Sequence, residues 1–120
     1  MSKVVAVIVT WRREHELDRL LTSLGASTYP LEGCVVMDHA GTVASGAVQR
    51  SFPVRLVQDL SNPGPGAGWA NGTLAARESF GETDIFYLDD DVVIPPRTLE
   101  LLLQEKGDAR AICPLLEDVD

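Results

Sequence analysis

Ile85-Phe86-Tyr87-Leu88-Asp89-Asp90-Asp91 is an apolar run that ends in three carboxylates. The apolar part reads as a strand over Asp84 to Leu88. Three like charges at its end repel and raise one another's pKa unless something positive sits among them. The usual compensation is a hard divalent cation, Mg²⁺ or Mn²⁺, with oxygen ligands and a phosphate to share. Taken alone, the triplet reads as a solvated acidic turn. The segments around it change that reading.

Upstream, Val4 to Val9 is a continuous β-branched run, the mark of a strand buried on both faces. Glu14 to Leu24 places Leu17, Leu20, Leu21 and Leu24 at helical spacing, with Gly25 just past the end as a stop. Cys34 to Met37 predicts a second strand ending at Asp38. A weaker helix is predicted over Val43 to Arg50, and a third strand over Val54 to Val57. A glycine- and proline-rich loop, Asn62 to Gly68, then leads into a helix from about Ala67 or Trp69 to Phe80. Beyond the triplet, Pro95-Pro96 predicts the first turn of a helix carrying Leu99, Leu102 and Leu103. Ala109 to Cys113 predicts a fifth strand.

Strands that alternate with helices imply a parallel α/β sheet with right-handed crossovers. Such sheets bind ligands at the carboxyl ends of their strands. Those ends carry Thr10-Trp11-Arg12, Asp38, Asp59 and Asp89 to Asp91. A scaffold without a ligand does not require a polar residue at every one.

The chain has 120 residues, enough for one domain with its own core. Its net charge is −8, which argues against nucleic acid as a partner. An anionic substrate would need local arginine or a metal to overcome that field. No apolar stretch approaches the ~20 residues of a membrane span. Met1 to Val9 is too short for a signal peptide, so a cytoplasmic location is expected. Cys34 and Cys113 read as buried reduced thiols, and with His15 and His39 they make no zinc spacing.

Several chemistries are disfavoured by position. A dinucleotide fingerprint would need G-x-G-x-x-G directly after the first strand, where Thr10-Trp11-Arg12-Arg13 stands. No Walker loop is present. Gly64-x-Gly66-x-Gly68 follows the third strand instead, either as turn chemistry or as a close backbone approach to a ligand or to the acidic loop. Phe86 to Val93 matches the strand-D-x-D-x-V opening of haloacid-dehalogenase-type phosphatases, but lies too late in the chain. A nucleotidyltransferase would carry a glycine-rich loop after the first strand. Singly, Asp38 reads as a turn or helix cap, Trp11 as packing, and Arg12 and Arg13 as solvated charges.

In order, these pieces resemble a family 2 glycosyltransferase. Thr10-Trp11-Arg12-Arg13 is similar to that family's T-Y-N-R opening, and the strand ending at Asp38 to its V-V-D segment. Asn62 to Gly72 is similar to its N-x-G-x-x-G-x-x-x-x-G loop and helix, and Leu88-Asp89-Asp90-Asp91 to its D-x-D motif. The motif style is nearest to galactofuranosyltransferase-like and rhamnosyltransferase-like members. The resemblance implies a GT-A fold, a Rossmann-like, mostly parallel α/β sheet with flanking helices. It implies transfer of a sugar from a UDP- or dTDP-sugar to the hydroxyl of a carbohydrate or lipid-linked acceptor. Thr10, Trp11, Arg12, Asp38, Gly64, Asp89 and Asp90 would contact the nucleotide-sugar, with Asp38 accepting a hydrogen bond from the base. Asp91 and Asp89 would hold Mg²⁺ or Mn²⁺.

Three departures bear on that expectation. Trp11-Arg12 replaces Tyr-Asn. Trp69-Ala70 stands where many members carry Arg-Asn, leaving Arg77 as a conceivable substitute. Members are also considerably longer, and their second half supplies the acceptor site and the general base. Residues 1–120 therefore read as the nucleotide-sugar-binding half alone. Glu117, Asp118 and Asp120 match no base motif, so a non-catalytic donor-binding fragment is the alternative. A half-domain is expected to expose apolar surface and self-associate.

Overall fold

The computed structural model describes residues 3–60 and 65–106, with side chains of the second segment from residue 67 onward. The element order is β1 (Val4–Thr10), α1 (Glu14–Gly25), β2 (Gly33–Asp38), β3 (Val54–Gln58), α2 (Pro65–Phe80), β4 (Asp84–Asp89) and α3 (Thr98–Lys106). The strands form one parallel sheet in the order β3-β2-β1-β4. The alternating α/β pattern is thus realised as expected among the described residues. The fifth strand expected at Ala109 to Cys113 lies outside them.

The β-branched β1 is central because both of its faces are buried. Val4, Ala6 and Ile8 pack with Leu17, Leu20, Leu21, Leu24 and Leu99, from α1 and α3. Val5 and Val7 pack on the other face against Ala75 and Ala76 of α2. An alternating strand would leave one face wet, whereas the unbroken run Val4 to Val9 covers two.

Glycine sets how closely α2 approaches the sheet. A methyl group on Gly72 would sit 2.5 Å from Val7 Cγ1 and 3.2 Å from Met37 Cγ. One on Gly68 would sit 2.8 Å from His39 Nε2 and 3.2 Å from Val9 Cγ2. Two glycines four apart thus share the helix face that lies on the sheet. Gly72→Ala is therefore expected to destabilise the fold by about 1–3 kcal/mol through overpacking, read as a lower urea midpoint at unchanged slope.

Four local expectations need correction. The helix over Val43 to Arg50 reduces to a 3₁₀ turn, Ser45–Val48. Its buried residues Val43 and Val48 are five apart and form no helical stripe, and Gly46 is a poor helix former. Gly25 is the last residue of α1 rather than a left-handed stop. The helix closes instead on tight bonds from the Ala26 and Ser27 N–H groups to Ser23 and Leu24. Pro95-Pro96 precede α3, which begins at Thr98. α2 begins earlier than expected, at Pro65, where a missing N–H costs nothing.

The strand order places the site. From β1 the chain steps outward through β2 to β3, then returns to the other side of β1 for β4. Between β1 and β4 the direction of progression reverses, and the crevice at the carboxyl ends of such a pair is the preferred ligand site of open parallel sheets. β1 ends there in Thr10, and β4 in the aspartate triplet.

Candidate donor site

Thr10 and the triplet meet across that crevice. Thr10 is 2% exposed, and its hydroxyl donates to Asp90 Oδ2 at 2.9 Å. The pairing of Val9 with Asp89 across β1 and β4 sets these two residues side by side. Burial pushes the Asp90 carboxyl above its ordinary range. The Thr10 bond and the Arg13 charge oppose that rise, and Asp91 and Asp89 add to it.

The three aspartates do not point one way. Phe86 and Leu88 face the layer of α1 and α3, and Ile85 faces that of α2. Strand alternation then sends Asp90 to the first layer and Asp89 to the second. Asp89 and Asp91 are exposed, whereas Asp90 is buried. Among the described residues, no three acidic, histidine or cysteine side chains converge as a metal-holding group.

The chemistry of the donor set still fits a divalent cation. Mg²⁺ is commonly held by one or two carboxylates, with phosphate and water supplying the remaining oxygens. Asp89 and Asp91 present exposed carboxylates at the carboxyl edge of the sheet. Asp91 already attracts a cation, since Arg13 Nη1 lies 3.2 Å from its Oδ2 and 3.6 Å from Asp90 Oδ1. Arg13, expected as a solvated charge, is half exposed yet paired. It sits immediately before α1, and the turn that follows β4 gives its guanidinium two carboxylate partners.

Trp11 and Arg12 bound the crevice at the end of β1. Trp11 is 54% exposed, and the Arg12 guanidinium lies 5.0 Å from its ring centroid, a cation–π contact. Arg12 adopts φ 54°, the left-handed region, at a cost of about 1–2 kcal/mol for a residue with a Cβ. Such strain concentrates where a loop is shaped for a ligand.

Asp38, expected to accept a hydrogen bond from the base, is bonded to its own loop. It is 0% exposed. Its Oδ1 accepts from the N–H groups of Ala40 at 3.1 Å and Gly41 at 3.0 Å, and its Oδ2 from Val43 N–H at 2.9 Å. Gln58 Nε2 adds a bond to Oδ2 at 3.3 Å and another to the Val43 carbonyl at 3.0 Å. The carboxylate is thus the anchor of the 39–43 loop, which turns at Gly41 with φ 71°. In this conformation it presents no open face to a base. Of the turn and helix-cap readings, the geometry agrees with the turn.

His39 is also buried, at 5% exposure. Its Nδ1 lies 3.0 Å from the Asp59 carbonyl, which can only accept, so Nδ1 carries the proton. Nε2 is buried beside Gly68 and has no hydrogen-bond partner among the described residues. Nothing in the motif pattern singled it out.

Other expectations fall away from the crevice or outside view. Gly64 lies outside the described residues. Arg77 is in the last turn of α2, beyond Gly72 and toward Phe80, which packs on Gly33 at the opposite end of the sheet. It cannot stand in for a site arginine. Trp69, in place of an Arg-Asn pair, packs edge-on against Tyr87 at 5.6 Å, and the Tyr87 hydroxyl lies 2.6 Å from Thr73 Oγ1. Cys34 is buried, its thiol pushed up to about 12 by desolvation, so it is inert. An open groove of about 400 Å³ runs between α2 and β3, lined in part by Met37, Arg55 and Asn71. No triplet residue lines it.

A parallel sheet with its polar crevice at a β1/β4 reversal, backed by helices on both faces, defines a GT-A-like α/β fold. The sequence model for Glycosyl transferase family 2 matches residues 5–117, and the chain belongs to that family. No curated protein matches it in sequence. Solved structures of TarS from S. aureus share the fold. The 1-349 fragment in complex with UDP-GlcNAc superposes with a TM-score of 0.71 at 22% identity, over 88% of this chain and 31% of that one. A further TarS structure gives 0.67 at 22% identity, over 88% and 20%. The fragment with UDP gives 0.61 at 20%, over 88% and 32%. The chain thus spans a fifth to a third of the structures it resembles. No described helix is long and apolar enough to cross a membrane.

Proposed function

We propose that these residues form the donor-binding part of a glycosyltransferase that moves a sugar from a nucleoside-diphosphate sugar, UDP- or dTDP-linked, to an acceptor hydroxyl. The observation that carries this reading is the meeting of Thr10, Arg13 and the aspartate triplet in the β1/β4 crevice of a family 2 chain. The UDP-GlcNAc complex of a TarS structure with the same fold supports a nucleotide-sugar as donor.

Each residue has a task in that reading. Trp11 offers an exposed ring on which a base can stack. Arg12, held over that ring, places positive charge at the crevice mouth. Asp38 fixes the 39–43 loop as one wall and acts through it rather than on the ligand. Thr10 holds Asp90, so the triplet keeps one orientation. Asp89 and Asp91 would hold Mg²⁺ or Mn²⁺, which when bound shares charge with the donor diphosphate as the sugar departs. The acceptor, of carbohydrate or lipid-linked class, and the base that deprotonates it belong to the part of the reading that rests on family membership.

A second reading is that these 120 residues bind the donor without transferring its sugar. It is favoured by the roles at the crevice, since those of Thr10, Arg13 and the triplet place a donor and none deprotonates an acceptor. Exposed Leu60, Leu74, Tyr87 and Leu101 would suit association with further protein in either case.

Isothermal titration of the chain with UDP, dTDP and GDP, each with and without Mn²⁺, tests the donor site. The expected result is binding of UDP or dTDP that strengthens at least about tenfold in Mn²⁺. Absence of binding by all three in Mn²⁺ would sink the assignment. Donor binding without sugar release to water or to an acceptor selects the second reading.

A further inference from the structure

A guanidinium is the positive charge that faces the triplet. Arg13 Nη1 reaches both Asp91 Oδ2, at 3.2 Å, and Asp90 Oδ1, at 3.6 Å. Its side chain is half exposed, at 52%, as is that of Asp91, at 54%, so the contact is a reversible surface pair. The side chain makes no cap to α1, so it can leave without unravelling the helix. Asp90 is held independently by Thr10 and keeps its orientation whether Arg13 stays or swings away.

We propose that Arg13 is an internal counter-ion that holds Asp91 until a divalent cation and the donor's diphosphate arrive together. A cation entering alone must displace the guanidinium from Asp91 and leave a second positive charge a few ångströms away. A diphosphate removes that conflict, because it offers Arg13 a new anionic partner with matching fork geometry. Metal and nucleotide then bind with positive coupling, and each tightens the other by the same factor. This inference rests on the donor-site reading given above.

The test is Mn²⁺ alone, titrated calorimetrically at low ionic strength into the wild-type chain, Arg13→Ala and Arg13→Lys, then repeated in saturating UDP. Arg13→Ala is expected to bind Mn²⁺ alone about threefold to fivefold more tightly than wild type, the scale of one exposed ion pair. The gain should shrink as salt is raised toward physiological strength. In UDP the gain should vanish, so the factor by which UDP tightens Mn²⁺ falls by at least the same amount. Arg13→Lys keeps the charge and should follow wild type with Mn²⁺ alone, but without the guanidinium fork it should recover only part of the tightening by UDP. Unchanged or weaker Mn²⁺ binding by Arg13→Ala overturns the proposal, as does a lack of detectable Mn²⁺ binding by every protein. Failure of UDP to bind wild type in Mn²⁺ defeats the donor reading instead, a result visible separately from the Mn²⁺-alone comparison. Matching far-ultraviolet circular dichroism of the three proteins confirms a shared fold.

Discussion

Asp91→Ala is expected to weaken UDP binding in Mn²⁺ about a hundredfold while leaving binding without metal unchanged or slightly stronger. Loss of an outer partner of a metal site costs about 10–100-fold, and loss of a direct carboxylate ligand lies at the upper end. Without metal, the same substitution removes a negative charge from beside an anionic ligand. The two titrations therefore move apart, which a folding defect would not produce. Asp91 is exposed, and its pair with Arg13 is worth at most about 1 kcal/mol, so the variant should fold. Metal dependence equal to that of wild type would remove Asp91 from the ligand set. Asp89→Ala run in parallel asks whether the last residue of β4 shares the cation.

Asp38→Ala is expected to cost about 3–5 kcal/mol of stability, a large part of what a domain of this size possesses. The side chain satisfies three backbone N–H groups and a Gln58 amide from a fully buried position. Each buried donor left without an acceptor costs about 1–3 kcal/mol. The N–H of Val43 is deep, whereas Gly41 lies at the exposed edge of the loop where water can replace the lost oxygen. The sum therefore falls short of three full penalties. Urea unfolding of wild type, Asp38→Ala and Asp38→Asn measures it. The amide retains one acceptor oxygen and should lie between the other two. An alanine variant as stable as wild type would refute the anchoring role and reopen the carboxylate as a direct contact to a base.

Much of this architecture was legible beforehand. β1, α1, β2, β3 and β4 follow from periodicity, because burial on two faces, one stripe or one edge leaves a distinct spacing in the chain. The failures were local. Helix α3 starts two residues after its prolines, and the weak helix over Val43 to Arg50 collapses to one turn. In each case a short segment lacked an apolar stripe strong enough to fix its own limits. The candidate site divides in the same way. The triplet, Thr10 and Trp11 were visible as strand-end residues. Arg13 was not, because a surface arginine acquires meaning only from the charges opposite it. Asp38 was visible as a strand-end acid, but its bonds to the 39–43 loop were not, because a strand-end aspartate looks alike whether or not it also serves its own loop.

The sequence by itself determined that this is a parallel α/β chain with acids at its strand ends, and its ordered motifs pointed to the family. Hydrophobic spacing and motif order are properties of neighbours along the chain, so they survive without coordinates. Only the tertiary structure decided that β4 lies beside β1, that Thr10 therefore grips an aspartate 80 residues away, and that Arg13 meets Asp90 and Asp91. Strand order and the side of a pleat are set by which packing buries the most apolar surface around β1, a long-range balance that no local window contains.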